Sequence, residues 1–359
     1  MNSQREKLTD TIGEMDDMNT PVENPVYGIG LDVGTGFLVS SKFKTTNKIS
    51  FVSIRDAFYK LEKHLFNSTM FDKNKMKYIE TEDEVFVVGE DAVTFARIQN
   101  SSSSRPLAGG IINPKEKSSA PVLRELFRYV LQGHIAKKDE ILVFSIPGNQ
   151  VDNLDFDTTY HSMSLESLLK QFRVKPVPIN EGYAVIISEL GIKEEMTGLG
   201  FSFGAGLVNC ALVYKGINLF EFSIDKSGDF VDMQSSKAVG ESTATMGYIK
   251  ENKLNLEKSE YDVTPEERAL IFSYRYIIQN TLAEVKKAFL SQSSAKVLEP
   301  IPIVISGGTS MPPGFVNLFK QELTSVKLPF EVTEIIHAED PLRAVAKGCL
   351  IWANNLEVS

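Results

Sequence analysis

Residues 27–43, YGIGLDVGTGFLVSSKF, decide the fold: they set one carboxylate, Asp32, among the glycines of a bend between two apolar, strand-like runs. The stretches VYGIGLDVG, FLVSSKF and ISFVSI are rich in β-branched and aromatic residues and are bounded by Gly, Asn and Ser, which predicts three consecutive strands of a meander. A tight turn between strands presents successive backbone N–H groups, and glycine at its bends lets an anion such as phosphate come close to them. A carboxylate in such a nest repels phosphate unless a divalent cation stands between, and Mg²⁺ is commonly held through one or two carboxylates together with phosphates. Asp32 is therefore best explained as an anchor for the water shell of Mg²⁺ on a nucleotide, although the same letters alone also suit a plain hairpin with an exposed acid. Two other phosphate loops do not fit. Gly28, Gly30 and Gly34 have the wrong spacing for G-x-G-x-x-G and precede a strand, and G-x-x-x-x-G-K-[ST] is absent.

The chain of 359 residues is too long for a single core of ordinary size, and 42% hydrophobic residues suffice for two. A formal charge of −9 and the lack of any basic run argue against nucleic acid or an anionic membrane as the partner. Cys210 and Cys349 sit in apolar surroundings and read as buried thiols of a reducing compartment; the four histidines have no zinc-ligand spacing. No apolar run reaches the ~18 residues of a spanning helix, and the amino terminus lacks the basic-then-apolar order of a signal peptide, so a cytoplasmic location is expected. Residues 1–25 are polar and acidic and are expected to be a disordered tail, with Leu8, Ile12 and Met15 spaced as a short helical face for a protein partner.

After the meander come the strand EVFVVGEDA, the helix PVLRELFRYVLQGHI, the strand EILVFSIPG, the helix MSLESLLKQF, and a strand leading into a helix, VKPVPINEGYAVIISELG. Then the order restarts. GLGFSFGAGLVNCALVYKGINLFEFSIDKSGDF is again a glycine-bent hairpin with a third strand. A long helix opens at Thr264 with a capping box to Glu267 and Pro265 at its first position, and Leu270, Tyr274, Ile278, Leu282, Val285 and Phe289 line its core face. IPIVISGGTSMPPGFVNLFKQEL reads as strand, Gly-Gly turn and helix, and EDPLRAVAKGCLIWANNL as a closing helix. The chain is thus a duplicated α/β unit.

LDVGTG resembles the first phosphate motif of the actin and heat-shock chaperone ATPase superfamily, and the later stations follow in order. VVGEDA and RPLAGGII are similar to the stretches after the first hairpin in MreB-type bacterial actins, where R-P-L-x-x-G-x-I is usual, and FSIPGNQ to a strand and turn of that group. INEGYAVIISELG resembles the first connecting helix and FSFGAGLVN the second phosphate motif; SGDFVDMQ and GESTA are similar to G-G-x-x-x-D and G-E-R-T-A. VISGGTSMPPGF resembles the adenosine motif and EDPLRAVAKGCL the second connection.

The resemblance spans residues 27 to 352 and implies a duplicated actin-like (ribonuclease H-like) fold, with two domains around a nucleotide cleft. The domains would be 26–180 plus 338–359, with a small subdomain near 55–95, and 181–337, with one near 239–299. By the same resemblance Asp32 would hold magnesium waters, and Gly34, Thr35 and Gly36 would wrap the β- and γ-phosphates of ATP. Glu181 would orient the attacking water, although a first-turn Glu is also favoured by the helix dipole. Gly204 and Gly206 would form the second bend, and Gly307, Gly308 and Thr309 would pack on adenosine. Three departures stand out. Ser202 takes the place of the second motif's Asp; Ala205 narrows the second bend; Thr245 and Tyr248 stand, in an ungapped comparison, where a Glu and a basic residue usually face ribose and base. Asp229 and Asp232 could replace the missing carboxylate or cap a helix. The sequence stops within a few residues of its last motif, so a chaperone function is not expected, and no motif assigns the acceptor base of a kinase. The expectation is an actin-like, MreB-like ATP-binding protein that assembles head to tail into filaments with slow hydrolysis. The alternative is a non-polymerising nucleotide-binding scaffold with impaired ATPase activity.

Overall fold

The computed structural model describes residues 27–62, 68–82, 84–99, 101–135, 137–152, 158–259, 262–291, 297 and 299–358. The acidic segment 1–25, with its expected helical face, lies outside them. In the first half β1 (Ile29–Val33), β2 (Phe37–Thr45) and β3 (Lys48–Arg55) form the meander. A small sheet of β4 (Phe58–Glu62), β5 (Tyr78–Glu80) and β6 (Glu84–Val88) follows, together with α1 (Ser68–Lys73) and α2 (Glu90–Ile98). Next come the short strands β7 (Leu107–Ala108) and β8 (Ile111–Ile112), then α3 (Ser119–Leu131), β9 (Ile141–Ile146), α4 (Thr158–Lys170), β10 (Lys175–Asn180) and α5 (Glu181–Leu190). The second half runs β11 (Gly198–Phe203), β12 (Val208–Tyr214), β13 (Ile217–Ile224), α6 (Gly228–Val239), α7 (Thr243–Asn252), α8 (Pro265–Ser291), β14 (Ile301–Ser306), α9 (Phe315–Val326), β15 (Val332–His337) and α10 (Ala344–Val358).

The two main sheets have one topology. The orders β3-β2-β1-β9-β10 and β13-β12-β11-β14-β15 match strand for strand, with the meander antiparallel and the outer two strands parallel. Register matches too: Gly30 faces Ser41 and Leu31 faces Ser40, as Gly200 faces Ala211 and Phe201 faces Cys210. This is the duplicated α/β architecture expected from the sequence. Strand β11, buried at every position, carries no polar alternation because helices cover both of its faces.

Each half lends its last helix to the other. A Cβ at Gly30 would sit 2.2 Å from the Ala346 carbonyl oxygen, and one at Gly200 would sit 2.3 Å from that of Gly182. Helix α10 therefore rests its backbone on β1, and α5 rests on β11, which only bare glycines in the strands permit. The helices also meet each other, because a Cβ at Gly348 would lie 1.9 Å from the Ala184 carbonyl oxygen. Gly348→Val is expected to force these backbones apart and lower stability by about 3 kcal/mol, read as a fall of several degrees in the melting temperature. An unchanged melt would show that the packing here is loose.

The capping box expected at α8 is formed. Thr264 N–H donates to Glu267 at 3.0 Å, and Glu267 N–H donates back to the Thr264 hydroxyl at 3.2 Å. Leu270, Tyr274, Ile278, Leu282, Val285 and Phe289 are buried in the second half's core. Cys210 and Cys349 are free, buried thiols.

Candidate active site

The bends after β1 and β11 are built alike. Gly34 N–H donates to Phe37 O at 3.1 Å, and Gly204 N–H donates to Leu207 O at 3.0 Å. A Cβ at Gly34 or Gly204 would fall 2.8 or 2.9 Å from those same oxygens, so both tight turns require glycine. The bends also face each other: a Cβ at Gly206 would lie 2.7 Å from Thr35 Oγ1, and one at Gly36 would lie 3.1 Å from Ala205 Cβ. Thr35 Oγ1 accepts from Gly110 N–H at 3.1 Å, which fixes the RPLAGGII segment beside the first bend.

Asp32, Gly34, Thr35, Gly36, Glu181, Ser202, Gly204, Gly206, Gly307, Gly308 and Thr309 all line one cavity of about 580 Å³ between the halves. Gly307 has φ +93°, and a Cβ there would meet Phe203 O at 2.3 Å. The Thr309 hydroxyl donates to Gly204 O at 2.7 Å, and that oxygen also receives Ser227 Oγ at 2.6 Å and Gly228 N–H at 3.2 Å. In this structure Thr309 thus braces the second bend.

Two carboxyls share the floor of the cavity. Asp32 Oδ1 accepts from Ser145 Oγ at 3.0 Å, and Ser145 Oγ accepts from Val33 N–H at 2.9 Å. Burial pushes the Asp32 carboxyl up to about 7 against that hydrogen bond. Glu181 opens α5, where Asn180 caps the helix through Tyr183 N–H at 3.2 Å. Burial, then the nearby Asp32 charge, raises Glu181 to about 8, while hydrogen bonds from the Ser202 and Asn209 side chains oppose the shift. Asn209 Oδ1 accepts from Gly148 N–H at 3.1 Å, which leaves its NH₂ group to serve Glu181.

Ser202 gains a clear local meaning from the duplication. Ser145 serves Asp32 from the neighbouring strand β9; the corresponding neighbour of Ser202 on β14 is Ser306, whose buried hydroxyl has no partner. The second half has kept the donor and lost the acid. A hydroxyl at 202 donates to Glu181, where a third carboxylate would add repulsion.

Sequence reasoning missed other lining residues. Thr245 and Tyr248 do not line the cavity: Thr245 N–H is held by Ser242 Oγ at 3.0 Å, and the Tyr248 ring lies 5.5 Å from both the Arg97 guanidinium and Lys253 Nζ. Lys250 and Glu251, a little further along α7, take their place. Lys250 lies four residues after buried Met246, and that helical spacing was the available signal. Its Nζ donates to Asp232 Oδ2 at 2.6 Å and to Gly228 O at 2.9 Å, while burial raises Asp232 to about 6. Asp229 and Asp232 both line the cavity, but each is engaged by a cation and lies within α6. Arg55, stacked 4.6 Å from the Phe37 ring centroid, crosses the mouth to Glu251 with bonds of 3.2 and 3.0 Å.

The Volactin family description matches residues 28–353. Among solved structures, the chain resembles a MamK double helical filament at TM-score 0.66 and 15% identity, covering 91% of this chain and 98% of that one. It resembles MreB 5 of Spiroplasma citri bound to AMPPNP at TM-score 0.64 and 14% identity, covering 93% and 98%. The ethanolamine utilization protein EutJ from Carboxydothermus hydrogenoformans follows at TM-score 0.52 and 14% identity, covering 92% and 91%. No curated protein matches the sequence.

Proposed function

This chain belongs to the Volactin family, and from that premise we propose that it is an actin-like ATP-binding protein that assembles head to tail into cytoskeletal filaments and hydrolyses ATP slowly. The observation that carries the reading is the pair of facing glycine bends, one preceded by the half-buried Asp32, that close on one cavity together with Glu181. AMPPNP in the solved MreB 5 structure and the filament of MamK are properties of those proteins that support it. We assign residues 26–180 with 338–359 to one domain and 181–337 to the other, and we place the protein in the cytoplasm. No helix among the described residues is long and apolar enough to cross a membrane.

Among the described residues no group of three or more acidic, His or Cys side chains suits a metal. Two carboxyls lining the cavity, the half-buried Asp32 and the buried Glu181, do suit Mg²⁺ held partly by phosphates, with Asp32 as its anchor. When bound, the ion would neutralise phosphate charge. The chain's own residues do the rest: the bends bind phosphate through backbone N–H groups, and Glu181 orients water, with Ser202 and Asn209 fixing its carboxylate.

Ser202 favours a second reading, a non-polymerising nucleotide-binding scaffold with impaired hydrolysis. Sedimentation and electron microscopy with ATP, ADP and AMPPNP, run beside phosphate release, separate the two. Filaments with ATP are expected; nucleotide binding without assembly would select the scaffold.

A further inference from the structure

A run of contacts joins the two bends along the wall of the cavity, which Arg105 and Asp229 both line. Gly36 O, in the first bend, accepts from Asp56 N–H at 3.0 Å. The Asp56 side chain is fully buried; its Oδ2 accepts from Leu107 N–H at 3.0 Å, and its Oδ1 has no partner. Arg105, just before Leu107, places its charge beside Asp56 and donates through Nη1 to Asp229 Oδ1 and Oδ2 at 2.9 and 2.7 Å. Asp229 N–H then donates to Ala205 O, in the second bend, at 2.7 Å. The Arg105–Asp229 pair is the step that passes from one half of the protein to the other. Beside it, the backbone at Gly110 sits so close to the second bend that a Cβ there would lie 2.1 Å from Leu207 Cδ1.

A half-buried ion pair on its own adds little to folding stability. Its position matters more: Asp229 is tied directly to the second bend by its N–H bond to Ala205 O, and Arg105, two residues before Leu107, is joined to the first bend through the Leu107–Asp56–Gly36 hydrogen bonds. We propose that Arg105 is a positioning residue that sets the spacing of the two bends through Asp56 and Asp229, so that both can grip the terminal phosphates of one nucleotide together. This rests on the nucleotide reading above. A triphosphate needs both bends at the right separation, whereas AMP, which lacks the terminal phosphates, does not. Arg105 therefore tunes the preference for ATP over AMP without contributing to the recognition they share.

The test compares ATP and AMP affinities, by calorimetry with Mg²⁺, for wild type, Arg105→Ala, Asp229→Asn and the charge swap Arg105→Asp with Asp229→Arg. Each single change is expected to weaken ATP by about tenfold, within the ordinary range of coupling between sites. AMP affinity should fall several-fold less than ATP affinity, the melting temperature should stay near wild type, and the swap should recover part of the ATP loss. If Arg105 instead reached the phosphates itself, Asp229→Asn would free it and hold or raise ATP affinity, which overturns the proposal. A parallel fall for ATP and AMP overturns it as well. Wild type that binds neither nucleotide refutes the nucleotide reading and this inference with it, an outcome distinct from any pattern among the variants.

Discussion

Glu181→Gln is expected to slow ATP hydrolysis by about 100-fold or more while leaving ATP bound, because the amide keeps the side chain's size but cannot take a proton from the water that Glu181 orients. The substitution keeps the shape of the site and removes only its basicity. The wild-type rate should also carry a pH signature. Burial and the Asp32 charge raise Glu181 to about 8, so below that value most molecules hold a neutral carboxyl that cannot act as base. Hydrolysis should climb with pH through the neutral range and level off above about 8, and the residual rate of the Gln variant should be flat across it. Phosphate release measured against pH, with bound nucleotide counted separately, checks both parts. Equal rates for variant and wild type would reduce Glu181 to a first-turn residue favoured by the helix dipole.

The second large effect is expected at Asp32, where binding and stability should move in opposite directions. Asp32→Asn should remove most of the gain in ATP affinity that Mg²⁺ provides, on the order of 100-fold, since the anchoring charge is gone. The metal-free protein should respond in the other sense. The folded-state value of Asp32, about 7, lies above its ordinary value of 3.8, so the folded protein holds this proton longer than the unfolded chain does. Stability is then lost as pH rises from about 4 through 7, and the loss is complete above that. The Asn variant carries no such charge and should melt higher than wild type at pH 8 in the absence of metal. A variant less stable at every pH, with unchanged magnesium dependence, would make Asp32 a structural residue.

Much of this was legible in the sequence because backbone requirements leave letters behind. Gly34 and Gly204 are glycines because the two turns admit nothing larger, and their shared setting between strands revealed the duplication. The α8 capping box and its apolar face were readable because both are local. What stayed hidden depends on neighbours distant in sequence. The stretch EVFVVGEDA, expected as strand, is strand only over Glu84–Val88; its last three residues open helix α2, whose N-cap Gly89 has no side-chain cap to announce it. Lys250 was passed over because its role follows from which face of α7 meets α6, a tertiary fact. Arg105 was visible as part of R-P-L-x-x-G-x-I, yet its link to Asp229 spans 124 positions. Ser202 read as a loss, and only the register with Ser306 and the hydrogen bond to Glu181 gave it a place.

All of these expectations depend on the cavity between the halves being a nucleotide site. Calorimetric titration of the wild-type protein with ATP in the presence of Mg²⁺ tests that directly. A saturable heat at one nucleotide per chain, diminished when Mg²⁺ is chelated, is the predicted result. An absence of heat with ATP, ADP and GTP alike, up to millimolar concentrations and in a protein that melts cooperatively, would contradict it.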